Sequence, residues 1–195
     1  MHAAGRASSY VSHNEHLTVS PTDSRIDPAR FRETLGHFCT GVTVVTAIHN
    51  GKAYGFTCQS FASVSLEPPL ILFCPRRSSR SWLHIEQAGS FCVNVLSREQ
   101  EKLSAHFGTA GDRGFESVAW RPAPTGSPAL DHALTWIDCT IETIHNAGDH
   151  HIVVGRVFAV REPAIPQERP LLFYRGTYST TQSQPVSATT QRLPE

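Results

Sequence analysis

Residues 42–57 read VTVVTAIHNGKAYGFT, and this stretch decides the fold class. Its first half, residues 42–49, is dense in β-branched side chains, which favour strands. Asn50-Gly51 follows, and this dipeptide is a strong signal for a two-residue hairpin turn because both positions accept positive φ. Residues 52–57 then return as a second strand. The stretch therefore predicts an antiparallel β-hairpin near the start of the domain.

Further strands are predicted by short apolar or β-branched runs along the rest of the chain. The runs are residues 70–74, 91–96, 136–145, 151–161 and 171–174. A turn over residues 146–149 is expected to join the third run to the fourth. Residues 109–130 hold many glycines and prolines, so we expect a long irregular loop there.

Helices are expected to be few and short. The first should run from Pro28 to Gly41, the second over residues 80–88 with Ser79 or Ser81 as its cap, and the third from the capping box at residues 97–100 to residue 108. The chain shows no alternation of strand and crossover helix. It is therefore predicted to be mainly β, a closed or nearly closed β-barrel with a few short peripheral helices.

Composition and charge narrow the classes of function. The chain has 195 residues, with 17 basic and 17 acidic side chains and a formal net charge of zero. A neutral chain has no global field to attract nucleic acid or an anionic membrane, so we expect neither as a partner. The five cysteines are odd in number and widely spaced, which argues against a disulfide framework and a structural zinc site.

Domain limits and location also follow from the sequence. Residues 1–25 and 179–195 are polar and are expected to be flexible tails around a single domain over residues 26–178. The N-terminal stretch lacks the apolar segment of a signal peptide, and no run approaches the length of a membrane helix. We therefore expect a cytoplasmic protein. Motif searches exclude a Rossmann glycine fingerprint, a P-loop, a GxSxG elbow and an HExxH zinc motif.

Two polar segments could bind a nucleotide. Residues 55–70 place small hydroxyls and an amide between two strands, where such donors can bind a polar ring edge or a phosphate. The alternative is a polar edge strand that faces water. Residues 76–82, RRSSRSW, precede a helix whose free N–H groups favour a phosphate. A solvated, capped turn explains the same residues equally well.

A third segment, residues 145–151, reads HNAGDHH. Turn chemistry explains its Gly148-Asp149 pair. The neighbouring histidines are surface residues, a catalytic histidine or, less favourably, metal ligands. No further ligands stand at matched spacing, so no metal site is predicted.

Taken in order, five motifs resemble the flavin reductase-like family, which has the FMN-binding split-barrel fold. The motifs are CTGVTVVT at 39–46, SFASVSLEPPL at 60–70, FCVNVL at 91–96, GDH at 148–150 and PLLFYRG at 170–176. The resemblance spans residues 27–178. Within the family, the chain is similar to the branch that serves a secosteroid-hydroxylating monooxygenase. The residues that carry this similarity are Gln59 beside Ser60, residues 79–82 and residues 173–176. Reductases for 4-hydroxyphenylacetate and chlorophenol oxygenases are near relatives.

The resemblance implies an activity and partners. It implies an NAD(P)H:flavin oxidoreductase that uses NADH to reduce free, noncovalently bound FMN or FAD. Reduced flavin would then pass to the separate oxygenase of a two-component monooxygenase. The alternative is a split-barrel protein that retains its flavin and is no dedicated reductase. Members of the family generally form homodimers, so we expect a homodimer here.

The resemblance also implies a site. The flavin ring would lie against residues 40–42 and 56–60, and its phosphate near Ser63 and the turn over residues 79–81. His150 would lie at the nicotinamide side and is the one catalytic candidate. The implied cofactor-binding residues are Thr40, Gly41, Val42, Phe56, Thr57, Cys58, Gln59, Ser60, Ser63, Ser79, Arg80, Ser81, His150 and Tyr174.

Overall fold

The computed structural model describes residues 26–109, 114–161 and 169–182. The helices are α1 (Pro28–Leu35), α2 (Arg80–Ala88) and α3 (Glu101–Thr109), with a 3-10 turn (Arg98–Gln100) leading into α3. The strands are β1 (Thr40–Gly41), β2 (Thr43–His49), β3 (Lys52–Cys58), β4 (Ala62–Leu66), β5 (Pro69–Phe73), β6 (Ser90–Val95), β7 (Trp120–Pro122), β8 (Pro128–Leu130), β9 (Thr135–Ala147), β10 (His150–Val160), β11 (Leu172–Tyr174) and β12 (Thr177–Ser179). Within these residues, no helix has the length and hydropathy needed to cross a membrane.

Strand pairing confirms the predicted fold class. Seven antiparallel strands form the main sheet in the order β3-β2-β6-β9-β10-β5-β4. A second sheet has the order β1-β11-β12, and β7 pairs with β8 alone. The main sheet curls without pairing its two edge strands, β3 and β4, so the barrel is split rather than closed.

The β2–β3 hairpin forms as the sequence predicts. His49 pairs with Lys52, and the ladder continues in register to Thr43 opposite Cys58. The turn residues Asn50 and Gly51 have φ values of 50° and 74°. Two consecutive positive φ angles are typical of the turn that matches the twist of a hairpin.

Aromatic side chains from several strands fill the barrel together with one face of α2. Phe73 meets the edge of Phe91 at 5.0 Å between ring centroids and the edge of Trp82 at 5.8 Å. Trp82 is fully buried, as is Ile85 one turn further along α2. Burial of this helix face fixes the N-terminus of α2 beside the barrel.

The first helix is shorter than predicted. It ends at Leu35 and is capped by Gly36, whereas the predicted end was Gly41. Thr40 and Gly41 instead pair with Phe173 and Leu172 of β11. This segment forms a strand because it pairs with residues near the C-terminal end of the domain. Local sequence signals therefore could not reveal where α1 ends.

The predicted irregular loop over residues 109–130 is also corrected, because it contains β7 and β8. Two buried side chains of the main sheet hold this hairpin. The Asn94 side-chain oxygen accepts the Leu130 N–H at 2.7 Å. The Asp138 carboxylate accepts both the N–H of Thr125, at 2.7 Å, and its hydroxyl, at 2.6 Å. These partners are distant in sequence, so the local composition did not reveal the pairing.

Two smaller differences concern the β9–β10 turn and the last strand. The turn predicted over residues 146–149 is tighter, because Ala147 pairs with His150 and only Gly148 and Asp149 remain unpaired. β12 was not predicted, and it ends one residue inside the stretch expected to be a tail. The predicted tail at residues 1–25 and most of the one at residues 179–195, from residue 183 onward, lie outside the described residues, so the domain limits remain a prediction.

Candidate functional site

Two adjoining cavities open at the rim of the barrel. The barrel cavity has a volume of about 600 Å³ and is lined by Phe56, Thr57, Cys58, Gln59, Ser60, Cys74, Pro75, Arg76, Ser79, Phe107, Gly108 and His150. The helix cavity has a volume of about 750 Å³ and is lined by Arg32, Leu35, Gly36, Phe38, Thr40, Gln59, Ser60, Arg76, Phe173, Arg175 and Gly176. Both volumes are typical of ligand sites. Three residues, Gln59, Ser60 and Arg76, belong to both walls, so the two cavities adjoin.

The floor of the barrel cavity is built where three chain segments meet. The chain leaves β3 at Cys58 and returns after β5 at residues 74–76. The β9–β10 turn closes on this second segment, because the His151 N–H donates to the Pro75 carbonyl at 2.9 Å and the Arg77 N–H to the Asp149 carbonyl at 3.0 Å. Arg76 and His150 pair across this contact. Backbone hydrogen bonds therefore place the histidine on the cavity wall.

Several hydroxyls on this wall already form hydrogen bonds with the main chain, which limits what they can offer a ligand. The Ser60 hydroxyl accepts from the Cys74 N–H at 2.9 Å and donates to the carbonyl of the same residue at 3.2 Å. The Thr57 hydroxyl donates to the Ser104 carbonyl at 2.6 Å. The Ser79 hydroxyl accepts from the Trp82 N–H at 3.3 Å, which leaves its proton for a ligand. Of these three side chains, Ser79 is the best donor to a bound anion.

His150 forms a hydrogen bond with its neighbour in the turn. Its Nδ1 lies 2.8 Å from Oδ1 of Asp149. This hydrogen bond, together with the charge of a protonated His150 and that of Arg76, holds the pKa of the Asp149 carboxyl below its ordinary value. Because the ionised carboxylate can only accept, Nδ1 carries a proton. The pair therefore orients the imidazole ring on the cavity wall.

Cys58 and Cys74 both line the barrel cavity. The Cys58 thiol is buried and lies 3.3 Å from the Ser60 hydroxyl. Burial raises the pKa of this thiol, so it is neutral at working pH. A neutral thiol is a weak nucleophile, which assigns Cys58 to the wall of the cavity rather than to covalent chemistry.

The helix cavity differs in character, since its wall is mostly apolar but includes three arginines. Its basic residues are Arg32, Arg76 and Arg175, and no carboxylate among the described residues lines it. The Thr40 hydroxyl oxygen is buried there and has no hydrogen-bond partner within the described part of the chain. A buried hydroxyl of this kind requires a partner, which a bound ligand can provide.

The cavities bring together eight of the fourteen predicted cofactor-binding residues. Those on the barrel cavity are Phe56, Thr57, Cys58, Gln59, Ser60, Ser79 and His150, and Thr40 is on the helix cavity. Neither cavity is lined by the other six, which are Gly41, Val42, Ser63, Arg80, Ser81 and Tyr174.

For two of these six, burial in the protein explains why they line neither cavity. Val42 is 1% exposed in the core. Its N–H donates to Leu171 and its carbonyl accepts from Leu96, so neither backbone group is left for a ligand. Ser81 is 4% exposed within α2. Of the two serines proposed as the cap of α2, Ser79 is the cap and lies on the cavity.

Sequence reasoning missed other lining residues. On the barrel cavity these are Cys74, Pro75, Arg76, Phe107 and Gly108, and on the helix cavity Arg32, Leu35, Gly36, Phe38, Phe173, Arg175 and Gly176. Arg76 lay in the segment recognised as a possible phosphate cradle, and Arg175 in the PLLFYRG motif. Phe38 and Arg32 carry no comparable local signal, because the tertiary fold alone brings α1 to the barrel.

Fold, cleft and sequence together define a class of protein. The chain belongs to the flavin reductase like domain family, whose model matches residues 35–182. This match confirms the family resemblance found in the sequence.

Named relatives and solved structures make the similarity more specific. The chain is 54% identical over 154 residues to the reductase subunit HsaB of a flavin-dependent monooxygenase from Rhodococcus jostii, covering 79% of this chain and 78% of the relative. It is 39% identical over 165 residues to the NADH-dependent FMN reductase SmoA from Agrobacterium fabrum, covering 85% and 91%. The crystal structure of nitrilotriacetate monooxygenase component B from Mycobacterium thermoresistibile superposes with a TM-score of 0.78 at 48% identity, covering 83% of this chain and 92% of that one.

Proposed function

We propose that this protein uses NADH to reduce free FMN or FAD and supplies the reduced flavin to the separate oxygenase of a two-component monooxygenase. The observation that carries this proposal is the barrel cavity, whose wall contains seven of the residues implied by the family resemblance. The similarity to HsaB supports the role of a monooxygenase reductase subunit. The sequence resemblance to the branch that serves a secosteroid-hydroxylating monooxygenase favours a role in steroid catabolism. The similarity to SmoA, an NADH-dependent FMN reductase, supports NADH as the electron donor.

The residues present fit a flavin. The wall formed by residues 56–60 can face the ring, and the N-terminus of α2 with the Ser79 hydroxyl can hold a phosphate. The unpartnered Thr40 hydroxyl offers a further hydrogen bond. The flavin ring supplies the capacity to accept hydride, while the chain binds and aligns the two substrates.

Binding is expected to be modest, which suits a substrate that must leave. Ser60 and Thr57 already donate their protons to backbone carbonyls, so they offer a flavin only lone pairs. The cleft is also open to solvent at both cavities. These features favour an exchangeable flavin over a tightly retained one.

The test is NADH oxidation by the purified protein at increasing concentrations of added FMN or FAD. A reductase of free flavin gives a rate that rises and saturates with added flavin. A protein that retains its flavin, the alternative function, gives a rate that is independent of added flavin. Absence of both flavin uptake and NADH oxidation would refute the two functions together.

We further propose that the protein is a cytoplasmic homodimer. Large apolar side chains are exposed on β4 and β10, two strands separated only by β5 in the main sheet. They are Val64, Leu66, Phe158 and Val160, and Leu66 is 93% exposed. Several large apolar side chains exposed on neighbouring strands favour burial against a partner. Light scattering during size-exclusion chromatography should give the mass of two chains, and Leu66→Glu with Phe158→Glu should give the mass of one.

A further inference from the structure

Two histidines from different elements meet where α2 packs beside the β2–β3 hairpin. His49 is the last residue of β2, directly before the hairpin turn, and His84 lies in the middle of α2. Their Nδ1 atoms are 3.2 Å apart, and both side chains are partly buried. Neither residue lines the barrel cavity or the helix cavity, so this histidine pair lies outside the candidate site for flavin and NADH.

The spacing of the histidine pair suits a shared metal ion. Zinc binds imidazole nitrogens at about 2.0–2.1 Å in tetrahedral geometry, which places two coordinated nitrogens about 3.3 Å apart. The ring centroids are 5.5 Å apart, so the two rings meet through their nitrogen edges rather than through their faces. In the metal-free protein, one Nδ1 donates a hydrogen bond to the other. A change of tautomer that moves this proton to Nε2, with a small rotation of both rings, turns both Nδ1 lone pairs towards one ion.

Packing holds the two rings close to this geometry before an ion binds. The buried Tyr54 ring stacks on the His84 ring, with centroids 3.9 Å apart and ring planes inclined by 20°. Ile85, the next residue of α2, is fully buried and fixes the helix against the barrel. His49 pairs with Lys52 across the hairpin, which fixes its main chain. Because the ligands are already placed, an ion binds with a smaller loss of side-chain entropy.

The types of ligand define the class of ion. Imidazole nitrogen suits zinc, copper and nickel, whereas magnesium and calcium require oxygen ligands. Among the described residues, no third histidine, cysteine or carboxylate completes a set of protein ligands. Water must therefore occupy the remaining coordination positions. The Lys52 ammonium, 5.4 Å from the centroid of the Tyr54 ring, opposes a bound cation, so we expect micromolar rather than tighter affinity.

We propose that His49 and His84 bind a zinc ion through their Nδ1 atoms, with water in the remaining coordination positions. The ion joins the β2–β3 hairpin to α2, two elements that only the folded chain holds side by side. It therefore stabilises the folded state by an amount that rises with the zinc concentration. The site is independent of the proposed reductase function, because neither histidine lines either cavity.

The first experiment measures zinc binding by calorimetry to the parent, His49→Gln and His84→Gln, each freed of metal with a chelator. Other histidines and thiols of the chain also bind zinc, so the informative quantity is the difference between the proteins. Each variant should lose one site of micromolar affinity, because one imidazole binds zinc far more weakly than two do. His145→Gln is the matched control, since His145 is exposed on β9, and it should keep this site.

The second experiment compares the thermal midpoint of each protein with and without zinc. Zinc should raise the midpoint of the parent and of His145→Gln, but not that of His49→Gln or His84→Gln. Each protein is compared with itself, so any stability lost through the substitution alone cancels. A double variant at both histidines should lose no more of the zinc response than either single variant, because one ion uses both ligands.

The inference would be overturned if both single variants kept the zinc stoichiometry and the thermal shift of the parent. Equal losses in His145→Gln would overturn it as well, because they would show binding at unrelated histidines. So would partial losses that add in the double variant, which would indicate two separate sites. If one single variant failed to fold, the other would decide the test. NADH oxidation by the metal-free parent with added flavin tests the reductase function separately, so failure of the zinc site is distinguishable from failure of that function.

Discussion

Asp149 holds the imidazole of His150 through a hydrogen bond of 2.8 Å between adjacent residues of the β9–β10 turn. The turn is itself fixed by backbone hydrogen bonds to the segment after β5. Backbone hydrogen bonds therefore fix the main chain of the turn that carries His150, and the hydrogen bond to Asp149 fixes its imidazole at the edge of the barrel cavity. Such double support is typical of a side chain that positions a ligand.

We predict that His150→Ala mainly raises the KM for NADH, by about tenfold, the equivalent of one good contact. The rate at saturating NADH should change less, because hydride transfer to flavin requires no proton from the protein in that step. Steady-state kinetics with a fixed, saturating flavin concentration measure both quantities.

His145→Ala is the matched control, since His145 is exposed on β9 and lines neither cavity. Its kinetics should match those of the parent. If NADH kinetics were unchanged in His150→Ala, His150 would not belong to the site.

Gly155 provides a test of barrel packing. A Cβ at this position of β10 would lie 2.5 Å from Cζ of Phe91 and 3.1 Å from Cδ1 of Ile71. Gly155→Ala should therefore lower the free energy of unfolding by about 2 kcal/mol through overpacking. Urea denaturation measures the change.

Two further variants test whether the loss of stability in Gly155→Ala comes from overpacking or from replacing a glycine in the backbone. Gly108→Ala adds a methyl group to α3, where nothing lies within 4 Å of the new Cβ, so its stability should equal or exceed that of the parent. Phe91→Leu should restore part of the stability lost in Gly155→Ala. Additive losses in the double variant would contradict the packing explanation.

Much of the fold was predictable because its signals are local. Asn50-Gly51 specifies its hairpin, and Ser79 specifies the start of α2, since each acts on backbone within a few residues. The barrel cavity was predictable in part for a different reason, because the family resemblance identified the segment around Gln59 as part of a flavin site. Most of the helix cavity was not predicted: of its lining residues, only Thr40, Gln59 and Ser60 were among the predicted site residues. Thr40 pairs with Phe173, which lies far along the chain, so no local signal indicated that the two residues would form one wall.

The β7–β8 hairpin is a second element that local sequence could not predict, because contacts with distant residues stabilise it. Gly and Pro in its sequence predict an irregular loop, yet Asn94 holds it by accepting the Leu130 N–H and by donating to the Pro128 carbonyl at 3.3 Å. The Thr46 hydroxyl donates to the same carbonyl at 2.6 Å. Polar groups buried in the main sheet, rather than local propensity, therefore order this hairpin.

We predict that Asn94→Ala lowers the free energy of unfolding by about 3 kcal/mol, because it removes the acceptor of the buried Leu130 N–H and several further hydrogen bonds of the buried Asn94 amide. Urea denaturation gives the value. Asn146→Ala, at an exposed position on β9, is the control and should change stability little. A loss in Asn94→Ala no larger than in the control would show that the hairpin is held by other contacts.

The buried Asp138 carboxyl should make stability depend on pH. Burial raises its pKa above the ordinary value of 3.8, although hydrogen bonds from Thr125 oppose the shift. The folded state therefore holds this proton more tightly than the unfolded state does. The resulting stability is fully present below the ordinary value and is lost as the pH rises through the raised pKa of the folded protein.

Asp138→Asn keeps the shape of the side chain and removes its titration. The free energy of unfolding of the parent, minus that of the variant, should therefore fall as the pH rises from the acid range to neutrality. The neighbouring Cys139 cannot produce this slope, because burial and the Asp138 charge raise the pKa of its thiol to about 12. Denaturation curves collected across that pH range give the difference directly. A difference that stayed constant with pH would show that the carboxyl titrates alike in the folded and unfolded states.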